Sequence, residues 1–408
     1  MTAVSGGTRR TTRGARSVAG RRSTKVHVTQ RGPSPQAVVV VTVALLCGLG
    51  LVMVYSASSV TAVRTMGHSW AVVARQAVWL TIGVGAAWAA SRVPLRVWRD
   101  RVALPLLLVS VAALGYVALG VFAHKLTGQS LPFVMTVNGA TRWIGAGSMQ
   151  FQPSDLAKPA LILWLASLLS ERGRDLRSWA GLRPELVWTG ITCGLVIIGD
   201  DLGTTMLLGT VALVMVFMAG APIGKVLSLV GAAAGCAAVV VFAFDSFRMT
   251  RILAFLEPDR YRQGAGWQLW QSQIGLASGG LFGTGPGLAR SKWGFLPEAH
   301  TDFILAVIGE ELGLVGSLFV LGLFIAFMAA GCSIAMRARS RYGRLVAFGV
   351  TAWIGAQALI NIGVTVGTLP TKGITLPFVS YGGSSLLMSL IGVGILISVA
   401  RDGGRRRA

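Results

Sequence analysis

Apolar runs of about twenty residues recur from residue 37 to residue 400, separated by polar segments. Each run is long enough to cross a hydrocarbon core of roughly 30 Å as a helix. The pattern predicts ten spans, near 37–58, 71–91, 102–122, 153–170, 186–200, 202–220, 225–244, 302–333, 345–366 and 384–400. Three of the connections are more than linkers. Segments 123–152 and 245–301 are long, and 367–383 is short but dense in Gly, Pro and Ser. Segment 245–301 carries Trp267, Trp270 and Trp293, which predicts a stretch lying on or dipping into the membrane surface. The expected fold is all-α: a polytopic integral membrane protein of about ten transmembrane helices.

Composition agrees. The chain has 408 residues, 53% hydrophobic and only 13% charged, where soluble proteins carry about 25% charged residues. A chain of two or three soluble domains is excluded. The net charge of +22 would suit a nucleic-acid binder, but its placement does not. Of 37 Lys and Arg, 25 fall in the two tails and in alternate short loops, so the positive-inside rule puts both termini in the cytoplasm. No aromatic-basic module accompanies the charge, and no nucleic-acid partner is expected. Residues 1–36, with eight basic and no acidic residues, predict a disordered cytoplasmic tail, and 401–408 a second basic tail. Residues 37–400 form the membrane domain, with 123–152, 245–301 and 367–383 on its outer side. The four cysteines all lie in apolar runs without CxxC spacing, so neither a disulfide framework nor a zinc site is expected.

Unusual polar residues gather on that outer side. Asp302 opens the eighth span within Leu296-Pro297-Glu298-Ala299-His300-Thr301-Asp302. Two readings stand: an acid in the first helical turn beside a Thr301 cap, or a carboxylate held at the membrane edge as a general base. Glu310 and Glu311 lie two turns deeper, where an ionisable group is either functional or paired. Asp200 and Asp201, between two spans, suit a turn before the next helix. Among the cations, Arg142 follows an Asn138-Gly139 turn and precedes Trp143. Lys158 stands three residues after Asp155, an ordinary helical ion-pair spacing. Lys372 lies alone between Pro370 and Pro377, ahead of Ser380-Tyr381-Gly382-Gly383. Arg and Lys together with Gly-rich backbone donors suit a diphosphate.

These stretches, together with Met53 to Ser58, Asp201 to Thr205, Ser278 to Gly283 and Gln357 to Ser385, resemble the SEDS family of bacterial cell-wall polymerases along nearly the whole chain. Leu369 to Pro377 and the basic N-terminal tail are more similar to the division-type than to the elongation-type branch. Gly199-Asp200, Asp155 and Pro286 depart from the family's usual residues. The resemblance implies a peptidoglycan glycosyltransferase that polymerises lipid II into β-1,4 glycan strands, by inversion, at the outer face of the cytoplasmic membrane and at the division septum. Asp302 would be the catalytic base, with Arg142, Trp143, Lys158, Glu298, His300, Lys372 and Ser380 as the substrate-binding set. The implied partners are a class B penicillin-binding transpeptidase of the FtsI type and other membrane proteins of the division machinery. A divalent cation, Mg or Mn, is compatible with the chemistry, but no compact ligand cluster demands one. The alternatives are a lipid II flippase, an elongation-type polymerase and a non-catalytic division scaffold. The one-sided placement of the polar residues weighs against transport, which builds around a midplane site.

Overall fold

The computed structural model describes residues 2–3, 7, 33–128, 131–137, 139–146, 149–171, 176–244, 246–257, 260–371 and 373–404. Its helices begin and end where local chemistry dictates. Helix α1 (Pro35–Met66) starts with Pro at its first position and the Ser34 hydroxyl accepting from Ala37 N at 3.2 Å, and stops at Gly67 in the left-handed region. After α2 (Ala71–Arg92), the short α3 (Leu95–Val97) runs through one widened turn into α4 (Ala103–Thr127). Next come α5 (Pro153–Leu169), α6 (Trp179–Ile198), α7 (Leu202–Met218) and α8 (Ile223–Phe244). Two shorter helices, α9 (Ser246–Leu256) and α10 (Trp267–Gly279), occupy the second long outer segment. The chain ends with α11 (Ile304–Arg337), α12 (Arg341–Val366) and α13 (Gly383–Gly404).

Seven of the described helical segments are long and apolar enough to cross a membrane. Helices α5, α7 and α8 stand at the three remaining predicted spans. The largest boundary differences are at α6, which starts seven residues before the predicted 186 because Ser178 caps it, and at the end of α1. The last helix runs through Gly404, so the expected C-terminal tail is helical over 401–404, and 405–408 lie outside the described residues. Of the expected N-terminal tail only a few residues are described. Ser34–Ala408 forms one compact unit. Helices α5 and α12 are its interior, where Trp353, Leu161 and Leu165 are fully buried. Helix α2, packed chiefly on α13, leaves Val78, Ile82 and Trp88 exposed, as a lipid-facing helix does.

The all-α fold carries one small sheet. The first long outer segment contains a three-stranded antiparallel sheet, β1 (Val134–Val137), β2 (Ala140–Ala146) and β3 (Met149–Phe151), in that order. Gly139, at a positive φ of 79°, makes the hairpin turn. Alternating residues too few to make a helix pair instead across that turn, and the Tyr116 hydroxyl ties the hairpin to α4 by donating to Pro132 O at 2.7 Å.

A second departure lies inside α11. Gly313, at φ 71° and ψ −165°, breaks the helix just after Glu310 and Glu311. The glycine-rich loop after α10 fills the break. Thr284 N and Gly285 N donate to the carbonyls of Glu310 and Glu311, while Leu314 N and Val315 N donate to those of Gly280 and Leu281, at 2.9–3.2 Å. Four of the backbone groups freed by the break are paired in this way, in keeping with a membrane interior. Gly283 must be glycine, because a Cβ there would collide with the Glu311 carbonyl. The two glutamate side chains serve the same junction. Glu310 accepts from Arg290 N at 2.7 Å and from the amide and hydroxyl of Ser291. Glu311 accepts from the Ser56 hydroxyl at 2.5 Å and lies 4.0 Å from Lys292 Nζ. Of the two readings of this pair, the structural one accounts for both carboxyls.

Candidate active site

A cavity of about 370 Å³ opens where the sheet, the Leu296–Phe303 segment, the 373–385 segment and the outer ends of α5 and α12 meet. Arg142, Trp143, Lys158, Glu298, His300 and Asp302 all line it. These residues are far apart in sequence, and the fold brings them to one chamber.

Asp302 is neither in the first turn of α11 nor its cap. The helix starts at Ile304, with Phe303 at the cap position and no side-chain capping bond. The reason is the turn before it. Glu298 adopts a positive φ of 57°, and its carbonyl accepts from Thr301 N, Asp302 N and Phe303 N. Thr301 is not a helix cap either, since its hydroxyl donates to Glu298 Oε2 at 2.7 Å and to the Glu298 carbonyl. The Asp302 carboxyl is left facing the cavity, with no hydrogen-bond partner among the described residues. Burial chiefly, and the Glu298 charge after it, push its pKa up to about 7 against the opposing pull of Arg142 and Arg251. His300 is held below the ordinary histidine range by burial.

Arg142 is aimed by a defect in the sheet. In the β1–β2 ladder Met135 pairs with Trp143 and Thr136 with Thr141, so Arg142 is the extra residue of a bulge. A bulge re-aims the side chain it leaves unpaired. The guanidinium reaches the cavity, and its buried Nε has no hydrogen-bond partner among the described residues. Gly373 lies between this cation and Asp302. A Cβ on it would sit 3.2 Å from Asp302 Oδ2 and 3.8 Å from Arg142 Nη2. A cation whose Nε is free among the described residues, beside a carboxyl whose pKa is raised to about 7, is suited to receive an anionic group next to a proton acceptor.

The floor of the cavity is a closed polar network. Lys158 Nζ, buried, donates to Asp155 Oδ1 at 2.7 Å and to Gln357 Oε1 at 3.4 Å, while Ser384 donates to Asp155 Oδ2 at 2.6 Å. Lys158 is thus spent on holding α5, α12 and α13 together. Asp201 caps α7 by accepting from Thr204 N at 3.0 Å, and accepts from Gln152 and Ser154 on the opening of α5. That is the expected turn role with a cross-helix tie added.

Two members of the expected set stand apart. Ser380 does not line the cavity. Its buried hydroxyl accepts from Leu376 N at 2.8 Å and closes the 376–380 turn. Lys372 lies outside the described residues. The sequence reading also missed Trp79, Gln150, Gln357 and Tyr381 on the cavity wall. For Gln357 a signal existed: Trp353, Gln357, Asn361 and Thr365 recur every fourth residue along an otherwise apolar span, which marks one polar helix face. Glu298, His300 and Asp302 share the chamber, but no three His, Cys, Asp or Glu side chains among the described residues gather closely enough to hold a metal ion.

A polytopic helical protein with a carboxyl and an arginine poised in an outer cavity is the class defined so far. The chain belongs to the FtsW/RodA/SpoVE family of cell cycle proteins, whose model matches residues 36–404. A probable peptidoglycan glycosyltransferase FtsW of Coxiella burnetii is 38% identical over 372 residues, covering 90% of this chain and 95% of that protein. Another of that description, from Thioalkalivibrio sulfidiphilus, is 40% identical over 362 residues, covering 88% and 87%. Among solved structures, a chain described under "Structural coordination of polymerization and crosslinking by a peptidoglycan synthase complex" superposes with a TM-score of 0.69 at 28% identity, covering 90% of this chain and 97% of that one. The rod shape determining protein RodA of Thermus thermophilus gives 0.61 at 28% identity, covering 89% and 96%.

Proposed function

We propose that this protein is a division-type peptidoglycan glycosyltransferase that polymerises lipid II at the outer face of the cytoplasmic membrane. One observation carries the reading: Asp302, its carboxyl without a hydrogen-bond partner among the described residues and its pKa pushed up to about 7 by burial, shares a chamber with Arg142, whose buried Nε has no partner among them either. The relatives named above supply the reaction class. The 4-hydroxyl of the acceptor's GlcNAc attacks the anomeric carbon of the donor from the face opposite its diphosphate. Asp302 takes the hydroxyl proton as the new C–O bond forms, and the bond to undecaprenyl diphosphate breaks with inversion to a β-1,4 linkage. Arg142, with Lys372, takes up the charge of the departing diphosphate, the kind of electrostatic stabilisation that tends to dominate such transfers. No three His, Cys, Asp or Glu side chains among the described residues form a metal cage, and no step here passes through one.

The cytoplasmic side of both termini rests on the charge asymmetry, and location at the division septum on the family branch. We further assign a class B penicillin-binding transpeptidase of the FtsI type as partner, supported by the likeness to a chain of a synthase complex. The test is glycan-strand synthesis from lipid II supplied in detergent, where no flipping is needed. Strands from the wild-type protein with its transpeptidase, and none from Asp302→Asn, support the assignment. Strands at equal rates from both overturn it.

A further inference from the structure

The polar face of α12 does something the sequence did not disclose: it holds the cover of the site in place. Gln357 Nε2 donates to Thr375 O at 3.0 Å. One turn further on, Asn361, 1% exposed, donates from its single amide nitrogen to two backbone carbonyls, Asp302 O and Ile374 O, each at 2.7 Å. The amide cannot be turned round, because its oxygen would then face two carbonyl oxygens. Its Oδ1 is buried with no hydrogen-bond partner among the described residues. A buried amide with an orphaned oxygen is a costly choice for a helix interior unless its two donated bonds matter.

What the bonds join is specific. One carbonyl belongs to Asp302 itself. The other belongs to the residue after Gly373, whose backbone lies so close to the carboxyl that a Cβ would be 3.2 Å from Oδ2. We propose that Asn361 is a positioning residue for glycosyl transfer: its amide nitrogen clips the backbone of Asp302 to that of Ile374 and so closes the 373–376 segment over the reacting carboxyl. This rests on the reading of Asp302 as the base. Among the described residues, the charged groups facing that carboxyl are Glu298 on its own segment, Arg142 on β2, Arg251 on α9 and Asp201 at the start of α7. Asn361 carries no charge. Releasing the clip therefore acts on Asp302 only by lifting the cover and admitting water, which lowers its pKa from about 7 toward the ordinary carboxylate value.

The experiment uses the full-length protein with its transpeptidase and two variants that release the cover. Asn361→Leu removes the donor at similar size. Asn361→Ser keeps a polar side chain but is too short to bond both carbonyls. Thr351→Val, which deletes a buried hydroxyl bonded only within α12 to Ala347 O, is the control for general destabilisation. Two quantities are read across pH: modification of Asp302 by a water-soluble carbodiimide plus an amine, located by peptide mass spectrometry, and kcat and KM for polymerisation. Both opening variants are expected to move the labelling midpoint and the acid limb down by about one pH unit or more, to lower kcat by about tenfold or more, and to leave KM little changed. Thr351→Val should move neither midpoint. A midpoint unchanged in both opening variants makes Asn361 a packing residue and overturns the proposal. If Asn361→Leu does not assemble, Asn361→Ser decides by the same reading. If the wild-type protein makes no strands yet the labelling midpoints shift, the polymerase assignment falls and the clip stands.

Discussion

Replacing Asp302 by Asn keeps the volume of the side chain and removes the carboxylate assigned to take the proton of the acceptor hydroxyl. Asp302 is outside the helix and caps nothing, and its carboxyl has no hydrogen-bond partner among the described residues, so the fold should tolerate the change. General-base catalysis contributes about 10²–10⁴-fold, and strand synthesis should fall by that factor. The same carboxyl predicts a pH signature. A base works in its ionised form, so with a pKa of about 7 the rate should rise through neutrality and level off above pH 8. Each unit below pH 7 removes about a factor of ten, or roughly a hundredfold at pH 5. A carboxyl at its ordinary value would be ionised across that window and would leave the profile flat. The assay is polymerisation of fluorescent lipid II in detergent, resolved by strand length, between pH 5 and 8.5. The reasoning is refuted if the wild-type profile is flat over that range, or if Asp302→Asn works at the wild-type rate.

Charge changes around Asp302 carry opposite signs. Glu298→Gln removes a negative neighbour and should move the acid limb to lower pH, whereas Arg142→Gln should move it to higher pH and also cut kcat, both read from the same profile. Gly283→Ala, forced into a positive φ of 82° and against the Glu311 carbonyl, should cost about 1–3 kcal/mol and lower the thermal unfolding midpoint in detergent. Adding the cognate transpeptidase should raise strand synthesis at saturating lipid II; equal rates with and without it would remove partner activation. An impermeant thiol label applied outside cells should reach a Cys introduced at Gly264 but not one in the N-terminal tail, and the reverse would invert the assigned sides.

The positions of the ten spans were readable in the sequence because a lipid core imposes an unbroken apolar run of known length, whatever the helix packs against. Caps such as Ser178 and Ser340 were equally local, each bonding an amide three residues ahead. The chemical types of Asp302 and Arg142 at the outer edge also stood out against an apolar background. Their roles did not. Whether Asp302 caps a helix or faces a cavity depends on a turn built around Glu298 O. The aim of Arg142 comes from a bulge set by the pairing of β2 with β1. Asn361 reads as one more polar residue in a span until the fold sets Asp302 and Ile374 on either side of its amide. Glu310 and Glu311, equally conspicuous in sequence, become anchors for a loop because Gly313 opens the helix beside them. A lone chain can declare an apolar run or a local cap, since both are satisfied within a few residues. A buried polar group takes its meaning from the partner it meets, and here those partners come from distant segments that only the tertiary fold brings within hydrogen-bond reach.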